Sequence, residues 1–135
     1  QLYVFGGRYF GEDDVAILSH CEVYSFKQDS WSVLPRLNVK RCTCYAMAWK
    51  NEIYVFGGYT GQYERSEMIE RLSTKEGKWE LLPFNLNRGI ESGYVQSYSD
   101  NTVTIFGGNT NTGPTASVIS INFETRSLRS HRLLS

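Results

Sequence analysis

Phe-Gly-Gly stands three times in this chain, at Phe5-Gly6-Gly7, Phe56-Gly57-Gly58 and Phe106-Gly107-Gly108, at intervals of 51 and 50 residues. Each copy ends a short apolar run, such as Leu2-Tyr3-Val4-Phe5 or Ile53-Tyr54-Val55-Phe56. Other landmarks return in the same order. Trp31-Ser32-Val33-Leu34-Pro35 is followed by Arg41, and Trp79-Glu80-Leu81-Leu82-Pro83 by Arg88. Leu128 holds the corresponding place in the last copy, which has no Leu-Pro after it. Self-similarity at a fixed period near 50 residues restricts the chain to a repeat architecture, in which each unit buries its apolar face against its neighbours.

Within a unit the periodicity is that of strands. Ile53-Tyr54-Val55-Phe56 is apolar at every position and too short for a buried helix, so it needs cover on both faces, as stacked sheets provide. Glu22-Val23-Tyr24-Ser25-Phe26 and Val118-Ile119-Ser120-Ile121-Asn122-Phe123 alternate as half-buried strands do. Lys27-Gln28-Asp29-Ser30 and Lys75-Glu76-Gly77-Lys78 are polar turns leading into each tryptophan strand. Residues 42–48 and 92–98 supply one further strand per unit, and no ten-residue stretch carries a helical stripe. Seven Phe, three Trp and nine Tyr against three Pro and twelve Gly suit a chain of strands and tight turns.

These motifs together resemble the kelch repeat over essentially the whole chain. The resemblance implies an all-β fold: a fragment of a kelch-type β-propeller, with four-stranded antiparallel blades and about three blades present. Its blades fall at 1–34 (incomplete), 35–82 and 83–135 (degenerate, with Leu128 for Trp and Thr104 for Tyr). With strands a to d counted outward from the axis, Phe-Gly-Gly ends strand b and Trp lies in strand d. The chain then begins at strand b of its first blade and holds eleven blade strands. Trp31 and Trp79 are expected to be buried between blades, with Leu128 in the analogous place. Such an open arc leaves an apolar sheet face bare at each end. The segment alone is therefore expected to aggregate or stay partly molten, the rest of the propeller being supplied by a longer parent chain.

Several chemistries are excluded or left without support. Lys plus Arg and Asp plus Glu are both 14, so the charge excess of a nucleic-acid binder is missing. No apolar run approaches the roughly 18 residues of a membrane-crossing helix. The paired glycines are followed by no Gly-Lys-Ser/Thr and no helix start, as a phosphate loop requires. Cys42-x-Cys44 places two sulfurs on one strand face, yet with Cys21 and His20 as the nearest further donors it reads as buried apolar cysteine, not a metal site. Glu12-Asp13-Asp14 lacks the alternating spacing of a calcium loop. His20 and His131 have no nucleophile motif beside them. No catalytic residue, metal or cofactor is therefore assigned. The odd cysteine count favours a reducing compartment, and with it a cytoplasmic location.

In an antiparallel blade the b–c and d–a connections emerge on one face. The b–c loops cover about 8–19, 59–67 and 109–116, and the d–a loops about 35–40 and 83–90. They hold Arg8, Tyr9, Phe10, Arg36, Arg41, Tyr59, Tyr63, Arg65, Phe84 and Arg88, the residue types that dominate binding hot spots. Arg41 and Arg88, at a repeat position, alternatively brace adjacent blades. The resemblance implies a non-enzymatic protein–protein interaction module, a scaffold or adaptor such as a ubiquitin-ligase substrate receptor or a cytoskeleton-associated protein. The competing class is a piece of a kelch-like propeller enzyme, an oxidase or sugar isomerase, whose site lies on other blades.

Overall fold

The computed structural model describes residues 1–12 and 14–132, so the acidic run is described only at Glu12 and Asp14, and the basic tail only to Arg132. Among these residues there is no helix. Three antiparallel sheets follow one another along the chain. The first has three strands, β1 (Leu2–Phe5), β4 (Cys21–Ser25) and β5 (Ser30–Leu34), in that order. The second has β6 (Tyr45–Trp49), β7 (Glu52–Phe56), β10 (Met68–Ser73) and β11 (Lys78–Asn85). The third repeats it with β12 (Tyr94–Ser99), β13 (Thr102–Phe106), β16 (Ser117–Asn122) and β17 (Ser127–Arg132). These are strands a to d of two full blades and strands b to d of another. The a strands β6 and β12 approach each other, as innermost strands of neighbouring blades must.

Local chemistry sets the turns. Trp49 pairs with Glu52 across Lys50-Asn51, both at positive φ, the two-residue turn whose twist matches that of the strands it joins. The c–d turns occupy residues 26–29, 74–77 and 123–126, and each ends at positive φ, on Asp29, Gly77 and Arg126. Pro83 is accommodated inside β11 because strand d is an outer edge, where a missing N–H breaks no ladder.

The repeated Gly-Gly has a definite task. Gly57 takes φ 58° and its α-carbon lies against the Ile90 carbonyl, where a Cβ would collide; Gly6 takes φ 61° against the carbonyl of Arg41. The second glycine of these two pairs then donates its N–H to that same carbonyl, Gly7 to Arg41 and Gly58 to Ile90, both at 2.8 Å. The first two Phe-Gly-Gly copies are thus the sockets that receive the d–a connections running to the next blade.

Two cores lie between the sheets. Tyr3, Phe5, Cys21 and Leu34 of the first sheet face Ile53, Val55, Leu72 and Trp79 of the second. Tyr54, Phe56, Ile69 and Leu82 on the other side of the second sheet face Val103, Ile105, Ile119, Ile121 and Leu128 of the third. Each sheet therefore has a trailing face, on strand-b positions such as Tyr3 and Tyr54, and a leading face that holds the strand-d tryptophan. Trp79 obeys the expectation of burial at 7% exposure, and Leu128 packs in the analogous place. Trp31 does not: it is 50% exposed. Its indole lies on the leading face of the first sheet, and among the described residues no sheet covers that face, so it packs only within its own sheet, 5.2 Å from Tyr24.

A buried hydroxyl is out of balance. Tyr45 is 5% exposed, its hydroxyl sits against Gly93 and Gly108, and it has no hydrogen-bond partner among the described residues. Burial holds its phenol well above the ordinary range. Tyr45→Phe is expected to leave stability unchanged or raise it by about 1 kcal/mol, measured by urea unfolding, because an orphaned hydroxyl is removed with no partner left behind.

Candidate interaction face

The b–c connections are not irregular loops. Each is a two-stranded ribbon: β2 (Arg8–Phe10) with β3 (Val15–Ile17), β8 (Tyr59–Gly61) with β9 (Glu64–Arg65), and β14 (Asn109–Thr110) with β15 (Gly113–Pro114). Sequence reasoning missed these six strands because two or three residues carry too little periodicity to register. The second and third ribbons are tied to the d–a connections by isolated bridges, Cys42 to Tyr59 and Glu91 to Asn109. Ribbons and connections therefore form one knitted face.

Tyr59 is its centre. The Arg8 guanidinium lies 5.2 Å from the Tyr59 ring centroid and 5.7 Å from that of Phe10, and the Arg65 guanidinium lies 5.9 Å from Tyr59. Arg65 is anchored by Glu91 at 2.7 Å and donates to Asn111 Oδ1 at 3.3 Å, so it joins the second ribbon to the third. Glu91 in turn accepts from Thr43 Oγ1 at 2.5 Å. Arg8 reaches Cys42 Sγ at 3.6 Å. The Tyr59 hydroxyl accepts from the Tyr63 backbone N–H at 3.2 Å, which holds the second ribbon's turn. Above this layer stand Tyr9, Phe10 and Tyr63, exposed at 60%, 69% and 88%. Beside them an open groove of about 1090 Å³ runs between the first and second ribbons, with Asn38, Val39 and Lys40 in its wall.

The remaining sequence candidates separate. Arg36 and Arg88 are exposed, and Arg88 reaches Ser117 Oγ at 3.4 Å. Phe84 is not a loop residue: β11 continues through it, and its ring packs edge-on against Phe123 at 5.8 Å in the core between the second and third sheets. Arg41 is not on the surface either. It is fully buried and paired at 2.8 Å with Glu70, which is buried to the same degree. Its guanidinium also donates to the carbonyls of Val39, Gly57 and Met68. The Glu70 carboxylate accepts from Asn38 N (2.7 Å), Asn38 Nδ2 (2.9 Å) and Val39 N (3.0 Å) as well. Burial pulls the guanidinium's pKa below its usual value and Glu70 opposes that pull. Arg41 is thus the brace that clamps the d–a connection onto the second sheet.

Arg88 is not its counterpart. The residue whose carbonyl enters the Gly57-Gly58 socket is Ile90, and Ile119 stands in β16 where Glu70 stands in β10. Both isoleucines are buried in one core. Charge faces charge at the first junction and hydrocarbon faces hydrocarbon at the second. Among the described residues no three His, Cys, Asp or Glu side chains converge as metal ligands, and Cys21, Cys42 and Cys44 are all free thiols.

The kelch motif matches residues 1–38 and 40–83. The chain belongs to the kelch-repeat family. The third sheet lies outside that match yet repeats the second strand for strand. Similar proteins include the spermatocyte protein spe-26 of Caenorhabditis elegans, 38% identical over 63 residues, which are 45% of this chain and 11% of that protein. An F-box/kelch-repeat protein of Arabidopsis thaliana is 28% identical over 59% of this chain and 22% of its own length. Kelch-like protein 21 of Rattus norvegicus is 29% identical over 57% of this chain and 12% of its own length. The solved structure of YjhT superposes on 98% of this chain with a TM-score of 0.83 at 15% identity, a likeness of fold. This kelch chain spans about half of YjhT and a fifth or less of these curated relatives, apart from the slightly larger share of the Arabidopsis protein.

Proposed function

We propose that these kelch repeats form part of a non-enzymatic adaptor or scaffold that captures a protein partner on the ribbon face. The observation that carries this reading is the exposure of Tyr9, Phe10 and Tyr63 above the braced Arg8–Tyr59–Arg65 layer. Large rings on a stiff backbone offer contact area at small conformational cost, which is what a hot spot needs. The names of the F-box/kelch and kelch-like relatives, in which kelch repeats are one part of a longer chain, support it. Tyr9→Ala, Phe10→Ala and Tyr63→Ala combined are expected to reduce capture of the partner at least tenfold in a quantitative pull-down. Lys27→Ala with Lys75→Ala, at the c–d turns on the opposite side of the sheets, serves as the control and is expected to change nothing. Equal loss in both variants, or in neither, excludes the ribbon face as the binding surface.

A further inference from the structure

The first and second ribbons do not close on one another as the second and third do. Leu18 N donates to the Gly7 carbonyl and Ser66 N to the Gly58 carbonyl, so Ile17 and Arg65 hold one station at the ends of β3 and β9. Gly7 N and Gly58 N donate to Arg41 and Ile90, so Lys40 and Gly89 hold another. Between the second and third ribbons both stations are used to close the gap. Arg65 bridges to Glu91 and Asn111, and Gly89 lies so near the Arg65 carbonyl that a Cβ there would collide with it. Between the first and second ribbons an isoleucine stands in place of the bridging arginine, and it borders Gly61. Lys40 carries the side chain that Gly89 lacks, so its backbone cannot close on the Ile17 carbonyl in the same way. The groove of about 1090 Å³ is what remains.

One wall of that groove is an unpaired strand edge. In the first ribbon, Gly11 N donates to the Asp14 carbonyl and Leu18 N to that of Gly7, which turns the backbone groups of residues 14 and 18 toward β2. By the alternation of an antiparallel ladder, Val15 and Ile17 turn their N–H and C=O groups the other way, into the groove they line. Among the described residues these groups have no backbone partner, and β3 pairs with no strand except β2.

Charge selects the occupant. Asp14, Glu64 and Glu67 line the groove, and none of them has a cationic partner among the described residues. Of the two cations in the lining, Arg65 is already paired with Glu91, which leaves Lys40. Three free carboxylates outweigh one free ammonium, so the groove favours a cationic occupant.

We propose that the free edge of β3 takes up an extended, lysine- or arginine-bearing segment of a partner protein as a third strand of the first ribbon, with its cationic side chains on the groove's carboxylates. The proposal rests on the reading of the ribbon face as a partner-binding surface and names what enters it. Main-chain bonds to Val15 and Ile17 supply the anchorage, and every second side chain of the added strand faces the groove and sets the preference.

The probe is a blocked peptide of alternating lysine and valine, added at millimolar concentration to the chain, with amide hydrogen exchange followed by NMR. Exchange at Val15 and Ile17 is expected to slow about tenfold or more, because their N–H groups gain acceptors. The glutamate-for-lysine peptide is expected to leave them unchanged. So is the lysine peptide methylated on every backbone nitrogen, which keeps the charge and loses the donors. Glu64→Gln with Glu67→Gln is expected to weaken the protection and its dependence on salt. Equal slowing by the glutamate or the methylated peptide, or no slowing by any of them, overturns the proposal. Protection of Val15 and Ile17 that rises with chain concentration in the absence of peptide also overturns it, since the edge would then take a second copy of this chain. In the partner pull-down, Val15→Pro deletes one outward N–H and no bond of the ribbon, and is expected to reduce capture. Unchanged capture by Val15→Pro beside loss in the Tyr9, Phe10 and Tyr63 variant would leave the ribbon face standing and remove β3 as its anchor. Should Val15→Pro fail to fold, the three peptides on the unaltered chain decide the matter.

Discussion

Arg41→Ala is expected to lower the stability of the folded chain by about 3–5 kcal/mol, read from urea unfolding followed by tryptophan emission. The substitution leaves Glu70, fully buried, with the backbone N–H groups of Asn38 and Val39 and the Asn38 amide but no positive charge. It also strips a donor from the carbonyls of Gly57 and Met68. Glu70→Ala is expected to cost a similar amount, since it isolates the guanidinium and removes the acceptor that holds residues 38–39. The informative variant carries Arg41→Ile and Glu70→Ile together. The neighbouring junction already operates with Ile90 and Ile119, so the double variant is expected to recover at least half of the single loss. Recovery is incomplete because Asn38 N and Val39 N lose their acceptor. At the second junction, Asn85 Oδ1 caps Asn87 N at 2.9 Å. Arg36 stands where Asn85 does, and adding Arg36→Asn is expected to restore part of the remainder. Single losses below about 1 kcal/mol would mean that the pair does not clamp the two sheets together.

Trp79→Ala is expected to destabilise by about 3–5 kcal/mol, whereas Trp31→Ala costs about 1 kcal/mol or less in the same unfolding measurement. The residues hold the same place in the repeat, so the difference isolates the neighbouring sheet. Trp79 stands edge-on to Phe5 at 5.4 Å, donates its indole N–H to the Pro35 carbonyl at 2.9 Å, and packs with Leu37, Ile53 and Leu72. Truncating it opens a cavity between two sheets and orphans a carbonyl. Trp31 makes its contacts inside one sheet, and half of its surface is already in water. Equal losses at the two positions would show that the indoles act within their own sheets and that inter-sheet packing adds little.

Much of the architecture was legible before any coordinates. Each blade strand is short, alternates or runs apolar, and is bounded by glycine or polar turn residues, and with the kelch resemblance that pattern places the eleven blade strands and three sheets. The candidate face was legible only in part. Arg8, Tyr9, Phe10, Tyr59, Tyr63 and Arg65 do lie together around one face, because antiparallel topology sends every b–c connection to the same side. The anchors that hold them, Glu91, Thr43 and Asn111, went unnoticed. Single polar residues in connections carry no periodic signal.

The repeat by itself determined the all-β class, the period, the place of each strand b and the need for glycine behind it, because these follow from local conformational preference and from apolar faces that must be covered. Tertiary structure alone decided the fates of three large side chains. Pairing Arg41 with Arg88 as the basic residue downstream of each Leu-Pro misses by two residues, since Ile90 lies seven residues beyond Pro83 where Arg41 lies six beyond Pro35. Which residue is buried depends on which carbonyl seats in the Gly-Gly socket, and that contact lies between blades. Phe84 is half-buried because the third sheet's Phe123 packs against it, and Trp31 is exposed because its cover is another sheet. Local sequence specifies what a strand can bury; the neighbour packed against it decides what is buried.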